Sequence, residues 1–207
     1  MIQTILGRKR HGKTTVLIKL LHERAKPALV VSFDKAMVAQ FPNQHRFTSA
    51  RALLDFIIAS GGLDITRPLC LSILGDHTRV EAEFNLACKL AIAHRNIVFI
   101  VDEMDMFDST HSPDGEFYKM IHFQAHEFGG ELDLVTASRK PSRISRDLRG
   151  QTDEFYLFKM TDSRDLDYIK EDISENLVEE IKHLPKFEYI RYTVADEHAA
   201  RFQTTKK

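Results

Sequence analysis

Gly7 and Gly12 bracket four residues, Arg8, Lys9, Arg10 and His11, and are followed at once by Lys13, Thr14 and Thr15. The octet from Gly7 to Thr14 fits G-x4-G-K-[ST], the spacing that lets a backbone curl around the oxygens of a phosphate. Glycine at both ends frees the chain to turn successive N–H groups inward. A helix starting directly after the loop adds partial positive charge from its N-terminus. In such a loop Lys13 reaches the β- and γ-phosphates and the Thr14 hydroxyl ligates Mg2+. The whole run from Gly7 to Thr15 is thus a candidate cradle for a nucleoside triphosphate, ATP with Mg2+. The plain alternative is a glycine turn between a strand and a helix.

A cradle alone does not say who accepts the phosphoryl group. The stretch IVFIVDEMDMF, residues 97 to 107, narrows the choice. An apolar run of strand length ends in Asp102, where a carboxylate holds the hydration shell of Mg2+. Glu103 follows, placed to polarise an attacking water. The pair favours water over a small-molecule acceptor, and no guanine-reading NKxD motif follows. Asp105 and Asp108 read as solvated loop residues, with a widened metal shell as the alternative, and Met104 and Met106 as core. Residues 108 to 116 read as a mobile surface loop able to reach DNA or a neighbouring subunit.

A third stretch, residues 132 to 169, runs from a strand ending near Ser138 into a basic segment. Arg139, Lys140, Arg143, Arg146 and Arg149 face a single acid, Asp147, within eleven residues. Spacing of three puts Arg143, Arg146 and Arg149 on one side of a helix. A solvated basic face, γ-phosphate sensing, an arginine finger into a neighbouring subunit and DNA-phosphate contact all remain open. Arg79 and Arg95 compete for the finger role.

The elements that must position these residues follow from hydrophobic patterning. Strands are expected at Ile2–Leu6, Ala28–Phe33, Leu69–Leu74, Ile97–Val101, Leu132–Ala137, Phe155–Phe158 and Phe187–Val194. Helices are expected at Lys13–Ala25, Ala50–Ser60, Val80–Arg95, Glu116–Phe128 and, with an interruption, Arg164–His183. This alternation predicts an α/β fold with a mostly parallel sheet. The unbroken apolar runs of Ala28–Val31 and Ile97–Val101 predict central strands covered on both faces. The aromatics at 155, 156 and 158 read as sheet packing, and residues 194 to 207 as a polar tail.

Composition sets the outer limits. With 207 residues, 43% hydrophobic and 29% charged, the chain is sized for one well-cored domain. A net charge of −1 gives no global basic field, so polyanion binding must come from local patches or from a ring turning them inward. Cys70 and Cys88 stand alone and read as core thiols in a reducing compartment. No zinc-ligand spacing, signal-peptide pattern or run of about 18 apolar residues occurs, so the expected location is the cytoplasm.

On these residues the chain resembles the FtsK/HerA superfamily of DNA-translocating ATPases. The loop near the N-terminus and the apolar strand into Asp102–Glu103 carry the resemblance most specifically. "ASRKPS" at Ala137–Ser142 stands where that superfamily has an ATQRPS-like segment, and DEFYLFKMTDSRDLDYI, residues 153 to 169, follows as its strand and helix. The match spans roughly residues 2 to 194. It implies a RecA-like core, ATP and Mg2+ at the subunit interfaces of a hexameric homo-oligomeric ring, and double-stranded DNA threaded through the centre. Arg139 occupies the place of the superfamily's polar sensor glutamine, which leaves the sensor role between Arg139 and Ser138.

A core this short, ending in LPKFEYIRYT (Leu184–Thr193), is most similar to genome-packaging ATPases of membrane-containing double-jelly-roll viruses. That implies packaging of viral DNA into a capsid, partners at a capsid vertex or in a virion membrane, and a place in the host cytoplasm or at the packaging vertex. Two other readings stay open. A Zot-like, nucleotide-dependent assembly or secretion factor would act on a protein or membrane partner. A small-molecule kinase suits the size but not the Asp102–Glu103 pair.

Overall fold

A computed structural model describes residues 1–41, 43–63, 67–72, 77–107, 115–127 and 131–204, the side chains of 77–78 and 123–127 aside. Strands form where every position is apolar or internally satisfied. β1 (Ile2–Leu6), β2 (Ala28–Ser32), β4 (Leu69–Ser72), β5 (Val98–Val101), β6 (Asp133–Ser138) and β7 (Glu154–Phe158) are buried at every residue. With β3 (His45–Phe47), β8 (Glu188–Thr193) and β9 (His198–Gln203) they make one sheet in the order β3-β4-β2-β5-β6-β1-β7-β8-β9. All pairs from β3 to β7 are parallel, whereas β7–β8 and β8–β9 are antiparallel.

Alternate side chains of each central strand feed two separate cores. Leu29, Val31, Phe99 and Val101 point to the larger one, beneath α3 (Ala50–Ser60), α4 (His77–His94) and α5 (Glu116–Glu127). Ala28, Val30, Val98 and Ile100 point to the smaller one, with Val16, Leu17 and Leu20 of α1 (Lys13–His22) and Met37 and Val38 of α2 (Lys35–Val38). Helices therefore cover both faces, as the unbroken apolar runs require. Local caps fix the ends: Ser49 accepts from the Ala52 amide at 3.2 Å, and Gly61 closes α3 at φ 73°.

The expected long C-terminal helix is divided into α7 (Ser163–Asp172) and α8 (Val178–His183), with a 3-10 turn at Glu175–Leu177 between them. The arginine triplet does not share one helical side. Pro141–Arg143 is a 3-10 turn, Ile144 is extended, and Ser145 caps the separate helix α6 (Arg146–Gly150). Proline and a capping serine break the periodicity that the spacing suggested.

The polar tail is corrected as well. Residues 198–203 form β9, which pairs with β8 along its full length. Thr204 beyond it is buried and donates its amide to the Phe187 carbonyl at 2.7 Å. Edge strands carry exposed polar side chains, so composition alone read this segment as a tail. Of the 108–116 loop, residues 108–114, Asp108 included, lie outside the described residues, and Glu116 begins α5.

Candidate nucleotide site

The carboxyl ends of the parallel strands meet at one edge of the sheet, where loops from β1, β2, β5 and β6 converge. The first loop is seated between the end of β6 and the residue that follows β7. The Gly7 amide donates to the Ser138 carbonyl and the Arg8 amide to the Lys159 carbonyl, each at 3.2 Å. Gly7 has φ 136°, and a Cβ there would lie 2.6 Å from the Phe158 Cβ. Gly12 has φ 107°, and its Cβ would lie 2.7 Å from the Thr204 hydroxyl. Both glycines are thus required twice, by backbone angle and by space. Arg10 also takes a positive φ of 63°, and the His11 ring nitrogen Nδ1 lies 2.9 Å from the Lys9 carbonyl.

Lys13 opens α1 and folds back over the loop, its Nζ donating to the carbonyls of Gly7 at 2.6 Å and Arg8 at 3.0 Å. Burial pushes its ammonium down to about 8, against the attraction of Asp102. Asp102 sits at the end of β5, 9% exposed, and accepts from the Ser32 hydroxyl at 3.2 Å. Burial, with Glu103 beside it, pushes the Asp102 carboxyl up to about 6. Each group is a charge withdrawn from water. A phosphate chain and a dication supply the opposite charges that Lys13 and Asp102 lack, so the residues present fit a nucleotide with Mg2+. Thr14 and Asp102 line the same cleft and are the groups that would hold such a cation.

Glu103 has φ 55° and ψ 47°, a left-handed conformation that costs a non-glycine residue about 1–2 kcal/mol. Its carboxylate is paired with the Arg139 guanidinium, which projects from the end of β6. The Ser138 hydroxyl is engaged within the protein. Its Oγ donates to Asp105 at 2.8 Å, and the Arg139 amide points to the same carboxylate at 3.4 Å. Asp105, expected in a solvated loop, is only 6% exposed and ties the turn after β5 to the end of β6. A 3-10 turn at Met104–Met106 folds it inward.

Together these groups line a cleft of about 350 Å³. Of the residues singled out in the sequence, Lys9, Arg10, Gly12 to Thr15, Asp102, Glu103, Ser138 and Arg139 line it, whereas Gly7, Arg8 and His11 do not. Sequence reasoning missed Asp34, Met37 and Gln40, on or just before and after α2, and Lys186 and Phe187, before β8. Asp34 could have been found as a capping residue directly after a strand; it accepts from the Ala36 amide at 2.8 Å. No local signal marks Phe187.

The remaining arginines separate. Arg143 lines a second cavity beside the cleft, with Arg8, Lys9, Asp105, Met106, Arg139 and Lys140. Arg146 is exposed and lines neither cavity. Arg149 pairs with Asp172 and lies 4.7 Å over the Tyr168 ring, a packing role. Arg79 and Arg95 are exposed, Arg95 at φ 62°.

No protein-family model matches the sequence, and no curated protein matches it. Solved structures do share its fold. The genome packaging NTPase B204 from Sulfolobus turreted icosahedral virus 2, in complex with AMPPCP, superposes with a TM-score of 0.78 at 15% identity, over 100% of this chain and 98% of that one. B204 from Sulfolobus turreted icosahedral virus, described as a DNA-packaging ATPase, matches with a TM-score of 0.69 at 16% identity over 99% and 98%. VirB4 of Thermoanaerobacter pseudethanolicus gives a TM-score of 0.69 at 10% identity over 99% and 89%. The α/β class with a mostly parallel sheet is that of these structures, among them the viral packaging NTPases to which the sequence motifs drew the resemblance.

Proposed function

We infer that this chain is an Mg2+-dependent ATPase that translocates double-stranded DNA, packaging a viral genome into a capsid. The observation that carries the reading is the meeting, in one cleft, of the Gly7–Thr15 loop with Asp102, Glu103 and Arg139. A full-length likeness to packaging NTPases solved with nucleotide analogues supports it.

In this reading loop amides and Lys13 hold the phosphate chain. Thr14 and Asp102 would hold Mg2+, which would supply positive charge against the phosphate chain. Glu103 takes a proton from a water whose oxygen bonds to the γ-phosphorus. The bond from that phosphorus to the β–γ bridging oxygen breaks, and ADP and inorganic phosphate result. Arg139 fixes the Glu103 carboxylate and stands beside the charge that develops. The chain works as a homo-oligomeric ring, most simply a hexamer, around duplex DNA at a capsid vertex, reached from the host cytoplasm. Virion membrane proteins are candidate partners. No helix among the described residues is long and apolar enough to cross a membrane.

The test is ATP turnover with and without duplex DNA, in wild type and Glu103→Gln. Duplex DNA should raise wild-type turnover. Glu103→Gln should lower turnover by about 10²-fold or more while still binding nucleotide. Wild-type turnover in the variant sinks the role of Glu103, and turnover indifferent to DNA sinks the translocase.

A further inference from the structure

The second cavity, about 440 Å³, lies beside the nucleotide cleft and shares two of its walls, Lys9 and Arg139. Arg8, Lys9, Arg139, Lys140 and Arg143 line it, against one carboxylate, Asp105. That carboxylate is already engaged by the Ser138 hydroxyl and the Arg139 amide. Arg8, Lys9, Lys140 and Arg143 make no ion pair among the described residues. Four cations lining one chamber against a single carboxylate repel one another, and a bound anion relieves that repulsion.

We propose that this chamber is a second anion site, which receives the inorganic phosphate released in the nucleotide cleft. The proposal rests on the ATPase reading above. Three features select a small phosphate as the occupant. The two cavities share Lys9 and Arg139 as walls, and Arg139 is paired with Glu103, beside which the γ-phosphate would be cut. The volume holds a hydrated tetrahedral dianion. Arg139 belongs to both cavities, and its fork of five donors leaves N–H groups free beyond those on Glu103, enough to touch an anion passing between them. Hydrolysis leaves ADP on the loop and a separate dianion beside it, and the row of cations leads that dianion away from the bond that was cut. Lys140 marks the site best, because it lines the chamber, is exposed, and does not line the cleft.

The experiment titrates inorganic phosphate into the full chain saturated with ADP and Mg2+, by calorimetry, in wild type, Lys140→Gln and Lys140→Glu. Wild type should bind one phosphate per chain beside ADP. Lys140→Gln should weaken it severalfold and Lys140→Glu about tenfold or more, with ADP affinity unchanged. Stopped-flow detection of released phosphate should show slower release in Lys140→Glu at an unchanged rate of single-turnover cleavage. Competition between phosphate and ADP, or equal phosphate affinity in all three proteins, overturns the proposal. A loss of duplex DNA binding in Lys140→Glu with phosphate binding intact also overturns it, and assigns the chamber to backbone phosphates of DNA. If the chain binds no ADP, the ATPase reading fails instead. The chamber is then tested in nucleotide-free protein, where phosphate affinity should depend on Lys140 and not on Lys13.

Discussion

Two parts of the nucleotide cleft are built in different ways. Where phosphate would be cut, Lys13, Thr14, Asp102 and Glu103 each sit at or next to the start of a helix or the end of a buried strand. Their positions follow from local motifs, and the sheet only has to bring two strand ends together. Elsewhere in the cleft's lining, Phe187 depends on Thr204, a partner 17 residues further along the chain. Phe187 has φ 71°, an outlier for an aromatic residue, and its carbonyl accepts both the amide of Thr204 at 2.7 Å and the hydroxyl at 3.1 Å. Thr204 in turn fills the space that a Cβ on Gly12 would need. One part holds charge through motifs; the other presents an aromatic ring through long-range packing.

Breaking the first part should have the larger effect. Lys13→Ala removes the side chain that reaches back across the cradle to the Gly7 and Arg8 carbonyls. Transition-state charge then loses a close cation, and kcat/KM for ATP should fall by about 10³-fold. A steady-state ATPase assay checks this. A fall below about tenfold would mean that the cradle does not work through its lysine.

Phe187→Ala sharpens the other half of the comparison. If the ring is the face on which the base lies, its loss removes stacking worth about 1–3 kcal/mol. Nucleotide affinity should drop by about five- to 150-fold with kcat little changed, since nothing where phosphate is cut has moved. Binding of a fluorescent ATP analogue together with kcat measures the split. An equal fall in kcat would show that the hairpin instead sets the loop through Thr204 and Gly12.

The same contrast explains what the sequence reveals. Seven strands and five helices were legible because each is an apolar run or a capped amphipathic segment long enough to show its period. The Gly7–Thr15 loop, Asp102 and Glu103 could be singled out in advance because a motif's spacing is local, and the structure brings loop residues Gly12 to Thr15 into one cleft with the two acids. β3 and β9 were not: the first is three residues with only partial burial, the second is an exposed edge. Asp105 was misread because its burial depends on Ser138, thirty-three residues away. Arg143, Arg146 and Arg149 were grouped by a helical period that Pro141 and Ser145 interrupt. The left-handed turns at Glu103 and Phe187 carry no local signal, because both are imposed by what the residue meets in space.

The hairpin is also where a pH effect on stability should appear, smaller than either loss above. Glu154 of β7 accepts from Gln3 Nε2 of β1 at 2.7 Å and from the Tyr156 hydroxyl at 3.0 Å, and pairs with Arg191 of β8. It therefore ties the antiparallel β8–β9 pair to the centre of the parallel sheet. Burial pushes its carboxyl up, but the hydrogen bonds from Arg191, Gln3 and Tyr156 outweigh that and hold it below its ordinary 4.5. A carboxylate with a depressed folded pKa adds stability that is complete above the unfolded value and is lost as pH falls through the folded one. Glu154→Gln keeps the shape and removes the charge, so it should cost about 1–2 kcal/mol at pH 7, or a few degrees in Tm. The gap between the two proteins should hold down to about pH 4.5 and close below it. Thermal melts across that range decide it: a gap constant down to pH 3 would mean that the lost shape or amide geometry, not the charge, anchors the hairpin on which Phe187 depends.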